Sequence, residues 1–153
     1  MTVGERLKAQ GIEVPGARRP AGNYVTAVQT GNLVFTAGQI GGQNNTIGHT
    51  GKVGSDLTVE QGYEAAKAAA LNCLAAIKGL IGDLDRVVRV VKVLGFVNSA
   101  EGFGQQPKVM NGASDLLVAA FGEQIGPHSR SAVGVYQLPG NAAVEVELIV
   151  EVR

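Results

Sequence analysis

The segment from Val87 to Val97 constrains this chain more than any other. It is rich in valine and ends Leu94-Gly95-Phe96-Val97. In an extended strand, successive side chains point to opposite faces of the sheet. Here both alternating sets are apolar: Val88, Val90, Leu94 and Phe96 on one, Val87, Val91, Val93 and Val97 on the other. A strand apolar on both faces must be covered on both. The chain offers only two substantial helices, enough for one face of a sheet. The other face then calls for a second copy of the chain, so the sequence predicts an oligomer.

The two helices announce themselves by spacing. Thr58-Val59-Glu60-Gln61 has the form of a capping box. Apolar side chains then recur every three or four residues at Tyr63, Ala66, Ala70, Cys73, Ile77 and Leu80. That pattern predicts an amphipathic helix of about 24 residues, ~36 Å long. Gly82 suits its C-terminal cap. Cys73 lies on the apolar stripe and reads as a buried packing thiol. The second helix runs from Pro107 to Phe121, with Val109, Ala113, Leu117 and Ala120 on one stripe. Pro107 fits its first turn, and Gly122 and Gly126-Pro127 end it.

The remaining segments read as strands and loops. Tyr24–Val28 and Leu33–Ala37 form a hairpin around Thr30-Gly31-Asn32. Residues 41–55 are glycine-rich and read as a loop with at most one short strand. Ser129–Tyr136 and Ala142–Val152 close the chain on either side of Leu138-Pro139-Gly140-Asn141. The N-terminal arm, residues 1–20, holds one or two helical turns over 2–10. Gly11, Pro15, Gly16 and Pro20 then break it, so it reads as irregular and surface-bound. The order β-β-(β)-α-β-α-β-β describes an α+β fold, a mixed sheet packed on two helices. The 153 residues make a single domain, 1–153.

Charge and composition exclude several functions. Lys plus Arg and Asp plus Glu number 13 each, so no net field gathers nucleic acid. Tryptophan is absent and aromatics are 5%, which speaks against a base-stacking surface. Nucleic acid is therefore not an expected partner. No run approaches the ~20 apolar residues needed to span a membrane. Met1–Lys8 has no apolar core of a signal peptide. The single cysteine cannot pair internally and fits a reducing compartment. His49 and His128 stand alone, without partners at metal spacing. The expectation is a soluble cytoplasmic protein without a metal site.

Chemistry concentrates in the last two strands. By the period of two, Arg130, Ala132 and Gly134 face one way, and Ser131, Val133 and Val135 the other. In the final strand Val144, Val146, Leu148 and Val150 share a face, and Glu145, Glu147 and Ile149 share its opposite. This alternation predicts Arg130 with both carboxylates on the sheet face away from the helices. Such a face is either a solvated surface with an ordinary ion pair or a cleft in which Arg130 binds a carboxylate near a proton-handling Glu145. The planar guanidinium fork suits the second task because it matches a carboxylate bidentately. Glu147 reads as a structural or rim residue, and His128, two residues before Arg130, could touch a ligand.

These residues resemble a known family. Gly22-Asn23-Tyr24-Val25 followed by Gly31-Asn32-Leu33-Val34-Phe35-Thr36-Ala37-Gly38-Gln39-Ile40 is similar to the N-terminal hairpin of the Rid (reactive intermediate deaminase) family. Older usage calls it YjgF or L-PSP endoribonuclease. Gly82-Asp83-Leu84-Asp85-Arg86-Val87-Val88 resembles its helix-to-strand turn. Ser129-Arg130-Ser131-Ala132-Val133-Gly134-Val135, Leu138-Pro139 and Val144-Glu145-Val146-Glu147 resemble its C-terminal signature. The likeness runs from about residue 20 to 153, and the arm suggests a longer-chain branch.

The resemblance implies a chorismate-mutase-like fold and a homotrimer with clefts between neighbours. It implies hydrolysis of enamines and imines, of the 2-aminoacrylate or 2-iminobutanoate type, to 2-oxo acids and ammonia, without cofactor. Arg130 would clamp the substrate carboxylate and Glu145 would hold or activate the attacking water. Tyr24 and Asn111 would line the cleft, and Gly38 would allow close backbone approach. Ala37 stands where the deaminase branch commonly has Ser, and Ala132 where it commonly has Cys. Those departures leave two alternatives, a non-catalytic trimeric binder of small carboxylates or 2-oxo acids and the older endoribonuclease label.

Overall fold

The computed structural model describes residues 1–43 and 46–153. Its elements are α1 (Val3–Lys8), β1 (Ala27–Thr30), β2 (Leu33–Thr36), β3 (Gln39–Ile40), α2 (Val59–Ile81), β4 (Val87–Asn98), α3 (Gln106–Ile125), β5 (Ser129–Val135) and β6 (Val144–Val152). This is the expected α+β order. Residues 41–55 form the expected loop, apart from Asn44 and Asn45, which lie outside the described residues.

The sheet runs β1-β2-β6-β4-β5, with β3 also pairing on β6. β4 and β5 are parallel, joined by α3 as a helical crossover. The other pairs are antiparallel. β6 lies inside, so its alternation sorts the whole layer. Val144, Val146, Leu148, Val150 and Val152 are buried, while Glu145, Glu147, Ile149 and Glu151 are half-buried on the open face.

α2 starts at a capping box in which Thr58 and Gln61 bond each other's backbone N–H. It ends at Gly82, whose φ of 89° is a conformation only glycine adopts without strain. α2 and α3 lie on one face of the sheet, and they contribute Ala65, Ala66, Ala69, Ala70, Leu74, Val109, Ala113 and Leu117 to the buried core. The helices approach closely at Gly112, where an added Cβ would fall 2.0 Å from the Tyr63 carbonyl oxygen. Glycine and alanine here do the work that larger side chains do in looser helix pairs.

Three details depart from the sequence expectation. β1 begins at Ala27 rather than Tyr24, because the two-residue turn at Gly31-Asn32 pairs Ala27 with Thr36 and leaves Tyr24 upstream of the ladder. In β4 the register slips at Val88 and again at Val91, two bulges in which one strand carries an extra residue. Each bulge resets the alternation, so Val87, Val90 and Val93 all face the helices while Lys92, Leu94 and Phe96 face outward. The arm is also less loose than its glycines and prolines suggest. Thr2 and Glu5 cap α1, Val3 and Leu7 are buried, and the Val3 N–H donates to Asp85 Oδ1 at 2.8 Å. The helical turns expected over 2–10 are present as α1, and they are docked rather than loose.

The open face carries an apolar patch beside its charged residues. Phe35, Val28 and Val133 are 39%, 51% and 42% exposed, beside half-buried Leu94, Phe96 and Ile149. Among the described residues, no helix is long and apolar enough to cross a membrane.

The close helix approach is testable. Gly112→Ala places a methyl group against the Tyr63 carbonyl, and overpacking of this kind costs about 2 kcal/mol or more. Calorimetry should show a melting temperature lower by roughly 4–8 °C. An unchanged value would mean that the two helices separate freely.

Candidate functional site

The predicted site residues fall into two groups on opposite faces of the sheet. The first surrounds Glu145. β6 points this side chain away from the helices, into a cavity of about 520 Å³ lined also by Tyr24, Gly38, Gln39 and Ile40. Gly38 follows β2 directly beneath the carboxyl. A Cβ at that position would lie 2.8 Å from Glu145 Cδ and 2.9 Å from Oε2, so the carboxyl rests against bare backbone. Burial pushes the Glu145 carboxyl above its usual pKa, and the neighbouring charge of Glu147 adds to the effect. Tyr24 is half-exposed, and its hydroxyl accepts from the Ala21 N–H at 3.2 Å, tying the arm to this cavity.

The second group surrounds Arg130. Its Nη1 donates to Asn111 Oδ1 at 2.9 Å and to Ser114 Oγ at 3.1 Å, and its Nη2 donates to the Pro107 carbonyl at 3.3 Å. Positions 107, 111 and 114 share one face of α3 by the helical period, and that face meets β5. His128 completes the group. Its Nδ1 lies 2.7 Å from the Gly126 carbonyl and its Nε2 lies 2.9 Å from Ser114 Oγ. A carbonyl only accepts, so in the neutral ring Nδ1 carries the proton and Nε2 accepts the serine hydroxyl, a tautomer assigned from the network. Ser114 thus receives from Arg130 and gives to His128, which holds the guanidinium in one orientation.

The expected placement of Arg130 beside the carboxylates is corrected here. In register, Arg130 pairs with Val93 and Val93 with Leu148, all on the helix face. Val133 pairs with Phe96 and Phe96 with Glu145, all on the open face. The alternation within each strand is right. The phase between strands is what sequence periodicity leaves open, and the parallel β4–β5 register sets it. The structure brings Arg130 and Asn111 together, and separately Glu145, Gly38 and Tyr24. An ordinary Arg130–Glu145 ion pair within one chain is excluded by the same geometry. Sequence reasoning missed Ser114, although its place three residues after Asn111 on a helix was a usable signal.

His128 touches Ser114 in this arrangement. Cys73 is the packing thiol that its stripe predicts. It is fully buried, its Sγ donates to the Val146 carbonyl at 3.2 Å, and burial raises its pKa to about 12, which makes it a poor nucleophile.

Comparison with known proteins identifies the family and the fold. The family described as YjgF/chorismate mutase-like, which also carries an endoribonuclease label, matches residues 4–152. The chain belongs to this family, the YjgF/L-PSP or Rid group, with its chorismate-mutase-like fold. It is 47% identical to Protein TCP17 of Trypanosoma cruzi, over 99% of this chain and 94% of that one. It is 30% identical to a 2-iminobutanoate/2-iminopropanoate deaminase of Dermatophagoides farinae, over 93% and 95%. The crystal structure of the protein Atu1372 from Agrobacterium tumefaciens, 42% identical, superposes with a TM-score of 0.91 over 99% and 92% of the two chains.

The raised Glu145 pKa carries a sign. A carboxyl whose pKa is higher folded than unfolded contributes stability below its usual pKa, and that contribution is lost as pH rises through the folded value. Glu145→Gln, which cannot ionise, should therefore melt higher than the parent protein at pH 7. The difference should vanish at about pH 3, where the carboxyl is neutral in both the folded and the unfolded chain. An equal or lower melting temperature at pH 7 would show that the ionised carboxyl is well solvated or paired.

Proposed function

We propose that the protein hydrolyses reactive enamines and imines of the 2-aminoacrylate or 2-iminobutanoate type to 2-oxo acids and ammonia, in clefts between the subunits of a homotrimer in the cytoplasm. The observation that carries this reading is the split site. Glu145, with its raised pKa and its glycine-floored cavity, lies on one face of the sheet. Arg130, held by Asn111, Ser114 and Pro107, lies on the other. A small ligand that touches both groups needs them from two copies of the chain. The uncovered apolar face around Phe35, Phe96 and Val133 supports such packing, because a monomer rarely leaves an apolar patch of this kind open. The similarity to a deaminase over nearly the whole chain supports the chemistry.

The roles follow from chemical type. Arg130 pairs with the substrate carboxylate through its planar fork. Asn111 and Ser114 keep that fork aimed. An enamine first tautomerises to the imine. Glu145 holds the attacking water and passes one of its protons to the nitrogen as the oxygen bonds to the imine carbon; it then moves the remaining O–H proton to the nitrogen as the carbonyl forms, the C–N bond breaks and ammonia leaves. A carboxyl with an elevated pKa suits both halves of that exchange better than one of ordinary acidity. Gly38 lets the carboxyl sit against the backbone. Tyr24 lines the same cavity.

Two measurements test this. Light scattering at micromolar concentration should give about three times 15.8 kDa, and a monomer would remove the composite site. With 2-iminobutanoate generated in situ by a dehydratase, Arg130→Ala should lower kcat/KM by about 30-fold to several thousand-fold. That corresponds to the ~2–5 kcal/mol lost when one partner of a desolvated charge pair is truncated, at ~1.4 kcal/mol per tenfold. Arg130→Lys should also be poor, because an ammonium is a point charge. Near-normal ammonia release by Arg130→Ala would refute the assignment. Oxo-acid binding without any turnover by the parent protein would make it a binder rather than an enzyme.

A further inference from the structure

The cavity beside Glu145 is larger and more cationic than a three- or four-carbon imino acid requires. Its volume of about 520 Å³ is in the range of pockets that enclose drug-sized ligands. Arg18 and Arg19 of the N-terminal arm line it, and among the described residues Glu145 is the one carboxyl in its wall. Two guanidiniums against one acid attract anions.

The arginines sit on an anchored segment. Ile12 and Val14 pack on the hydrophobic core, and Ala21 is bonded to Tyr24. Arg18 is half-buried and its Nη2 donates to the Thr46 carbonyl at 3.2 Å. Among the described residues, its Nε is shut off from solvent without an acceptor. A buried donor left unpaired is unfavourable, and an anion in the cavity relieves it by letting the fork turn onto two acceptors. Arg19 is exposed at the rim, where it adds charge.

Resting on the deaminase reading of the cleft, in which Arg130 takes the substrate's first carboxylate, we propose that Arg18 and Arg19 recognise a second one. The preferred substrate class is then the imines of dicarboxylic 2-amino acids, of the size of 2-iminoglutarate. The chemistry is unchanged: the oxygen of water goes to the imine carbon, ammonia leaves, and the product is a dicarboxylic 2-oxo acid. The Arg130 end of the cleft holds the carboxylate next to the reacting carbon, and the arm holds the distal one.

Calorimetry on the intact protein tests this with the two product-like ligands 2-oxoglutarate and 2-oxobutanoate. The parent protein should bind 2-oxoglutarate about tenfold or more tightly than 2-oxobutanoate, a difference of ~1.4 kcal/mol. In the double variant Arg18→Ala/Arg19→Ala the ratio of the two affinities should fall to near one. Arg18→Lys/Arg19→Lys should keep a reduced preference, since the charges remain but the fork does not. Equal affinities in the parent, or a preference that survives the double alanine variant, would overturn the proposal while leaving Arg130-dependent binding of 2-oxobutanoate intact. If neither oxo acid binds, the oxo-acid reading of the cleft falls, and the second-carboxylate proposal falls with it.

Discussion

Everything in this protein hangs on the two-residue alternation of β6. The strand is paired on both sides, with β2 and β3 along one edge and β4 along the other. Its inward row, Val144, Val146, Leu148, Val150 and Val152, forms the floor on which the helices sit. Each such side chain contributes about 1.5–3 kcal/mol when fully buried. Its outward row carries Glu145, Glu147 and Ile149. A shift of one residue would put the carboxylates in the core and the valines in solvent, so the register that builds the core also fixes the direction of Glu145.

The helix layer follows from that floor. With no tryptophan and few aromatics, the core is filled by close approach rather than by bulk. Alanines along α2 and Gly112 on α3 let the two helices come near enough to exclude water. That approach also presents the Pro107, Asn111 and Ser114 face of α3 to β5, where Arg130 emerges. The parallel β4–β5 pairing sets the height at which the arginine meets the helix. Packing and site are thus produced by the same contacts, and the His128–Ser114–Arg130 chain of hydrogen bonds is a consequence of where the crossover helix lands.

The two faces divide the chemistry. One keeps a guanidinium pinned by neutral acceptors, so its charge is available to an anion. The other keeps a carboxyl partly away from water and beside a second carboxyl, so it holds its proton more firmly than usual. Opposite charges kept apart in one chain do not neutralise each other, which is what the proposed cleft between copies requires, and the arm adds two further cations on the carboxyl side.

Much of this was legible in the sequence. The capping box at Thr58 and the glycine at 82 bound α2 to within a residue, because those signals act through local backbone hydrogen bonds. The stripe of Val109, Ala113, Leu117 and Ala120 identified the buried face of α3 for the same local reason. The alternation of β6 placed Glu145 on the open face, and the hairpin and C-terminal segments carried the family likeness. Tertiary structure decided the rest. Strand periodicity says which residues share a face within one strand but not how neighbouring strands are phased, so only the β4–β5 register could turn Arg130 toward α3. The β4 bulges at Val88 and Val91 broke an alternation that is regular on paper. The glycines and prolines of the arm described its backbone freedom correctly, yet burial of Val3 and Leu7 decided that the arm would dock. In each case the local pattern reported what the chain prefers over a few residues, and long-range packing chose which of those preferences met.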